Sequence, residues 1–260
     1  MGATNSAILS YFLALGRAWS SDRPLKNKNI RKIILRQILF TGAQALRIVV
    51  VAAVVLSIVS IAQSSAQLQR LGGANSIGSI VSGFLIREAA AFVTLIVVVA
   101  RSVSAVASEL STMKANGEID SLRAAGVSVL SYLVIPRVVG GTLSTVLLAM
   151  HFAWISVLVG FAASSVLIDL SWSIYWDSLL SSLTVVDLSL FFFKAIVLSF
   201  VIFTMATFYG LRTTGAAFEV PQATTKAVVW SLMFCLIAQT IISVLYFWHL
   251  MMSRGLGGVL

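Results

Sequence analysis

Runs of Val, Ile, Leu, Ala and Phe, separated by short charged islands, constrain this chain more than anything else in it. A bilayer core of about 30 Å asks for about 20 mostly apolar residues per helix, and no water is there to satisfy an unpaired backbone group. Several stretches reach that length. Of the 260 residues, 59% are hydrophobic and only 10% charged, where an ordinary soluble domain has about a quarter charged. Mean hydropathy is +1.00. The chain reads as an all-α integral membrane protein of about five or six helices, with no room for a separate soluble domain.

The net charge of +9 would suit nucleic acid if it were spread over a soluble surface. It is not. Arg17, Arg23, Lys26, Lys28, Arg31, Lys32, Arg36 and Arg47 crowd the first 47 positions, with Asp22 the sole acid among them. That pattern marks a cytoplasmic end beside anionic headgroups, not a nucleic-acid partner. Cys235, the single cysteine, falls in an apolar run, so neither a disulfide framework nor a thiolate metal site is expected. The short patch Ala7–Leu15 lacks a preceding basic region and a small-residue cleavage site, and does not read as a signal peptide.

Residues 6–19 are too short to span and predict an interfacial helix with Trp19 at headgroup level. Residues 30–46 mix basic and apolar positions at helical spacing, which predicts a second interfacial element leading into a first span over Arg47–Leu68. A polar turn, Gln69–Ser79, carries Gly72, Gly73 and Gly78. The second span is harder to place. Its clean core, Ala89–Ala100, is only about 18 Å long at 1.5 Å per residue. It must take in Ile77–Ile86, which buries Arg87 and Glu88, or continue past Arg101. The first is favoured, because Arg101 then snorkels to the interface.

A third span is expected over Val138–Ile168, with Pro136 marking its start. Asp169–Asp187 has three acids, Trp172, Tyr175 and Trp176, and no Lys or Arg, the composition of a non-cytoplasmic loop with an interfacial helix near Ser171–Ser182. Leu188–Tyr209 is the fourth span, interrupted by Lys194; Gly210–Lys226 is a polar connector; Ala227–His249 is the fifth span. Basic residues near span ends gather in the amino-terminal region, the Arg101–Gly140 island and the connector. Five spans with the amino end cytoplasmic and the carboxyl end outside satisfy that bias.

No phosphate loop, H-E-x-x-H or G-x-S-x-G occurs. His151 and His249 are far apart in the chain and suit packing or interfacial roles, so a catalytic enzyme has little support. The intramembrane charges carry more. Arg87, Glu88 and Lys194 each lie within an expected span, where an unpaired charge costs at least about 2.5–3.5 kcal/mol. Arg87 and Glu88 point about 100° apart on a helix, so Glu88 pairing with Lys194 across two helices is natural. Such a pair could lock the spans together or line a path for a lipid headgroup.

Within the island, Ser108-Glu109-Leu110-Ser111 suggests a polar turn and Glu118–Leu122 a short helix lying along the membrane. Ile119, Leu122 and Arg123 share a face, and Gly126 would end it. A solvated connector is the plain alternative.

The run Arg101…Glu109-Leu110…Met113-Lys114…Glu118-Ile119-Asp120…Leu122…Gly126…Pro136-Arg137 resembles the signature of the MlaE/YrbE permeases, membrane subunits of ABC transporters that work with MCE proteins. A second block, Gly210…Thr214-Gly215-Ala216…Ala223-Thr224-Thr225-Lys226-Ala227-Val228-Val229…Ser231, is similar but looser, with Glu219-Val220-Pro221 where the family has a Gly-Val-Gly-like turn. Gly117 replaces a usual polar or acidic residue. The resemblance covers nearly the whole chain.

It implies a single permease domain over 1–260: an interfacial and cytoplasmic region 1–46, a five-helix transmembrane region 47–249, and a cytoplasmic coupling helix within 101–137. It implies a homodimer in the bacterial inner membrane that moves phospholipid or a related lipid between that membrane and a periplasmic MCE protein or the outer membrane. A separate cytoplasmic ABC ATPase would bind ATP, leaving this chain without a cofactor, and a small STAS-type accessory protein is a further possible partner. Glu109, Met113, Glu118, Asp120 and Leu122 fall in the ATPase-coupling region; Arg87, Glu88 and Lys194 match charged positions of the lipid cavity. Where some members carry an acid in the last span, this chain has Gln239. An ion-coupled secondary transporter using Glu88 and Lys194, and a non-transporting scaffold, are the competing readings.

Overall fold

The structure, a computed structural model, describes residues 2–22, 28–70 and 77–253. Its regular elements are all helices: α1 (Gly2–Asp22), α2 (Lys28–Arg70), α3 (Ile77–Ala115), α4 (Glu118–Ala124), α5 (Leu130–Ile168), α6 (Trp172–Ser182), α7 (Val185–Leu211) and α8 (Glu219–Ser253). Five of them, α2, α3, α5, α7 and α8, are long and apolar enough to cross a membrane. The chain is a multi-pass, all-α membrane protein. Helix α1 lies outside this set and packs on α7, where Tyr11 donates to Thr207 Oγ1 at 3.3 Å.

The two-part reading of 30–68 is corrected. Helix α2 is one unbroken helix of 43 residues, about 65 Å long. Ile30, Ile34, Thr41, Ala45, Val49, Ala53, Ser57, Ile61 and Ser65 are all buried, a stripe that passes Arg47 without interruption. Arg31, Lys32, Arg36 and Arg47 stay exposed, off that stripe, so their charge gives the helix no reason to stop. Against it lies α5, with Gly140 beside Gln37 and Ser144 donating to the Ile38 carbonyl at 3.3 Å. Small residues at such a seam let two backbones approach.

Helix α3 resolves the second span by taking both extensions. It includes Ile77–Ile86, as expected, and also runs on through Arg101 to Ala115. Two stretches, Val81–Ala89 and Val99–Val103, wind as π-helix. Ser108-Glu109-Leu110-Ser111 is therefore helix, not turn, because Val106, Ala107, Leu110 and Ser111 continue the buried face. The break comes at Gly117, whose φ of +74° suits glycine. Helix α4 then ends in a Schellman motif around Gly126: Val127 N donates to Leu122 O and Gly126 N to Arg123 O, both at 3.0 Å.

The third span starts at Leu130, ahead of Pro136, with π-helix over Leu130–Val134. Pro136 follows closely on that π-helical stretch, at the change to α-helix. The Gln69–Ser79 turn also shrinks: Gln69 and Arg70 close α2, and Ile77–Ser79 open α3. Gly72 and Gly73 lie outside the described residues, as do Arg23 and Lys26. Gly78 serves packing, since a Cβ there would meet Tyr175 O of α6 at 2.7 Å. The short helix expected near Ser171–Ser182 is α6.

Helix α7 begins at Val185, before the expected Leu188, because Thr184 and Asp187 form a capping box. Helix α8 begins at Glu219 instead of Ala227, which leaves 212–218 as connector. Of the five spans α3 is the most buried, at 56% of its most apolar window, and α8 the least, at 17%.

Candidate functional site

Two spans bring four charges together, and a third adds neutral partners. On α3, Arg87 and Glu88 sit in the π-helical stretch, and the backbone N–H of Ala90 reaches five residues back to Leu85 O. Such wide turns shift side chains out of the α register and recur at functional sites. From α7, Lys194 donates to Glu88 Oε2 at 2.9 Å. From α8, Ser243 donates to the same oxygen at 2.6 Å and Gln239 Nε2 at 3.1 Å. Lys194 also donates to Ser243 Oγ at 2.9 Å. One carboxylate oxygen thus gathers donors from two other helices.

The other half of the cluster centres on Asp187. Arg87 Nη1 lies 3.3 Å from Asp187 Oδ1, and Tyr246 donates to that oxygen at 2.6 Å. Asp187 Oδ2 accepts from Thr184 N at 3.0 Å, so one residue caps α7 and pairs with α3. Arg87 also stacks over the Tyr246 ring at 5.3 Å, and its Nε stands 3.6 Å from Glu88 Oε1. Two basic and two acidic side chains balance in formal charge. That cancellation is what makes the group tolerable within a bilayer, where each charge alone would be costly.

Exposure divides the four. Lys194 and Asp187 are sealed, with side chains 1% and 9% exposed, while Arg87 at 23% and Glu88 at 27% stay partly open. The open pair faces a cavity of about 360 Å³ that Ser243 and Tyr246 also line, with Val244, Phe247, Trp248 and Met251 as its apolar wall. Arg87 Nε and Gln239 Oε1 are buried without hydrogen-bond partners. The cavity itself has an ionic floor and an apolar wall.

The three residues that stand out in the sequence, Arg87, Glu88 and Lys194, lie together. Sequence reasoning does not reach Asp187, Ser243 or Tyr246 as site residues, and it places Asp187 at the end of a loop. Its one local signal was the T-x-x-D spacing of Thr184 and Asp187, a helix start. His151 instead turns back on its own helix, Nδ1 lying 2.7 Å from Leu147 O.

The island residues form a second group where α3 gives way to α4. Arg137, 6% exposed, joins α5 to α3: Nη2 meets Glu109 Oε1 at 2.7 Å and Nη1 donates to Leu133 O at 2.9 Å. Met113 Sδ lies 4.0 Å from Nη2. On α4, Ile119 is fully buried and Leu122 partly, whereas Glu118, Asp120 and Arg123 face outward. Arg123 is thus directed away from Ile119 and pairs with Asp120 at 3.1 Å. The tail of α7 rests on this group, with Ser111 Oγ donating to Gly210 O at 3.2 Å.

Residues 34–245, which take in part or all of every span and all of the charge cluster except Tyr246, match the family model described as Permease MlaE. The chain belongs to the MlaE permease family. Among curated MlaE-like relatives, the chloroplastic protein trigalactosyldiacylglycerol 1 of Arabidopsis thaliana is 32% identical over 229 residues. That alignment covers 86% of this chain and 64% of the Arabidopsis protein, so the chain spans less than two thirds of that relative. A probable ABC transporter permease protein of Synechocystis is 29% identical, with 86% and 85% of the two chains covered. Another, from Rickettsia prowazekii, is 29% identical, with 83% of each covered. The MlaE match begins within α2, so α1 lies outside it.

Proposed function

We propose that this chain is the membrane-spanning subunit of an ABC transporter for phospholipid or a related lipid. The observation that carries this reading is the division within the charge cluster. Lys194 and Asp187 are sealed and hold Arg87 and Glu88 at the floor of a cavity whose wall is apolar. An open cation and an open anion side by side suit a polar headgroup, and the apolar wall suits the chain attached to it. Membership of the MlaE family and relatives described as probable ABC transporter permeases support the same reading.

In this reading a separate cytoplasmic ATPase docks on the outward face of α4, with Glu118 and Asp120 in contact. Glu109 and Met113, held against Arg137, pass its movement to α5, and Leu122 keeps α4 seated. ATP hydrolysis acts by favouring one of two permease states through differential contacts. Two copies assemble in a bacterial inner membrane with amino ends cytoplasmic, and an MCE protein on the periplasmic side exchanges lipid with the outer membrane.

The test is reconstitution with an ABC ATPase and an MCE protein from the same organism. Labelled phospholipid is expected to move between donor vesicles and the MCE protein only with hydrolysable ATP. Movement that follows a proton or sodium gradient without ATP would instead identify a secondary transporter, and no movement at all a scaffold.

A further inference from the structure

A second cavity, of about 460 Å³, lies where α7 ends and α8 begins, away from the charge cluster. Arg212, Thr213, Gln222, Lys226 and Trp230 line it, with Glu219. Arg212 and Lys226 are exposed, and neither forms an ion pair with a described residue. The Arg212 guanidinium carbon lies 5.4 Å from the centre of the Phe208 ring. The one carboxylate present is already engaged: Glu219 accepts from Thr214 N at 2.6 Å and from Thr214 Oγ1 at 2.9 Å.

Thr213 supplies the independent observation. It is 8% exposed, lines the cavity, and its hydroxyl has no hydrogen-bond partner. Several buried hydroxyls lack partners among the described residues, and Thr213 is the one of them that lines this cavity, where a ligand could satisfy it. Two cations, a free hydroxyl and an amide converge with the chemistry that recognises a phosphate group. The depth selects the source of that phosphate. Trp230 is exposed a turn inside the last span's apolar run, where an indole marks the headgroup boundary.

We propose that this cavity binds the phosphate group of an acidic membrane lipid, with Arg212 and Lys226 supplying charge and Thr213 a hydroxyl donor. The acyl chains run down α8 past Trp230. The site requires a membrane but not transport, so it stands apart from the transporter reading. It adjoins the end of α3, where Ser111 holds Gly210, so its occupant steadies the connector beside α4.

The test uses the full chain in phosphatidylcholine nanodiscs containing a small share of phosphatidylglycerol with a headgroup photocrosslinker, followed by peptide mapping. Labelling is expected within 209–230. The double variant Arg212→Gln/Lys226→Gln should lower it by about tenfold or more, the scale of a lost charge-assisted bond. Labelling near Ser243–Met251 should stay unchanged. Thr213→Val keeps the shape and should lower labelling severalfold without shifting the melting temperature. Unchanged labelling in the double variant overturns the proposal. So does competition by inorganic phosphate as effective as that of unlabelled phosphatidylglycerol, which would make free phosphate the occupant.

Discussion

Lys194 of α7 reaches Glu88 of α3 at 2.9 Å, and the two differ sharply in exposure: 1% for the lysine side chain, 27% for the glutamate. Losing one is therefore unlike losing the other. Glu88→Ala strands a sealed ammonium among apolar spans. Lys194→Ala leaves Glu88 beside Arg87, still bonded by Ser243 and Gln239 and open to the cavity. Glu88→Ala is expected to be the more destabilising, approaching the about 3–5 kcal/mol seen when one partner of a buried pair is removed. Thermal unfolding in detergent measures the order, and the double variant should recover part of the loss. Equal single losses that simply add would show that the pair does not couple.

Asp187 works at two places, so its removal should exceed the loss of either contact. Asp187→Ala takes away the Arg87 pair, the Tyr246 bond and the cap on Thr184. Tyr246→Phe removes one hydrogen bond to a carboxylate, about 1.5–3 kcal/mol. The melting temperature is expected to fall clearly further for Asp187→Ala, with hydrogen exchange rising at 184–188 only in that variant.

Gly78 faces main chain rather than a side chain that could rotate aside: Tyr175 O would lie 2.7 Å from an added Cβ. Gly78→Ala should therefore separate α6 from α3 and lower the yield of monodisperse protein. Gly117→Ala, at φ +74°, is expected to cost about 1–2 kcal/mol from backbone strain alone. Gly16→Ala meets nothing within 4 Å inside α1 and should be neutral or mildly stabilising. Comparing the three by size-exclusion profile and melting temperature checks the packing.

The outward acids of α4 offer a surface test. Glu118 and Asp120 are exposed, so Glu118→Lys/Asp120→Lys should leave the melting temperature nearly unchanged. Under the transporter reading it should abolish co-purification of the ATPase. Arg137→Lys is expected to act differently, loosening 104–137 in hydrogen exchange, because an ammonium cannot hold Glu109 and Leu133 O in the planar fork a guanidinium provides.

Much of this was legible beforehand, and the failures share a cause. Apolar length marked the spans, and aromatic, base-free composition marked α6. The continuity of α2 through Arg47, and of α3 through Ser108–Ala115, was not visible. Charge reports on one helix face, whereas Ala45 and Val49, or Ala107 and Leu110, keep the opposite face buried. Arg87, Glu88 and Lys194 stood out because charge is conspicuous within an apolar run. Asp187 did not, since its partner lies 100 positions away and its own neighbourhood resembles a loop. Arg137 looked like a span-flanking charge, and only the return of α5 against α3 makes it a tie between them.

The least embraced span, α8, is also the one that closes the charge cluster. It contributes Gln239, Ser243 and Tyr246, while Arg87, Glu88, Asp187 and Lys194 stay mutually paired on α3 and α7. What α8 adds to the assembly comes from neutral side chains that donate to the two carboxylates, together with the Tyr246 ring beneath Arg87. Each ion keeps its counter-ion on α3 or α7, so a separation of α8 from them would expose the polar interior without creating an unpaired charge.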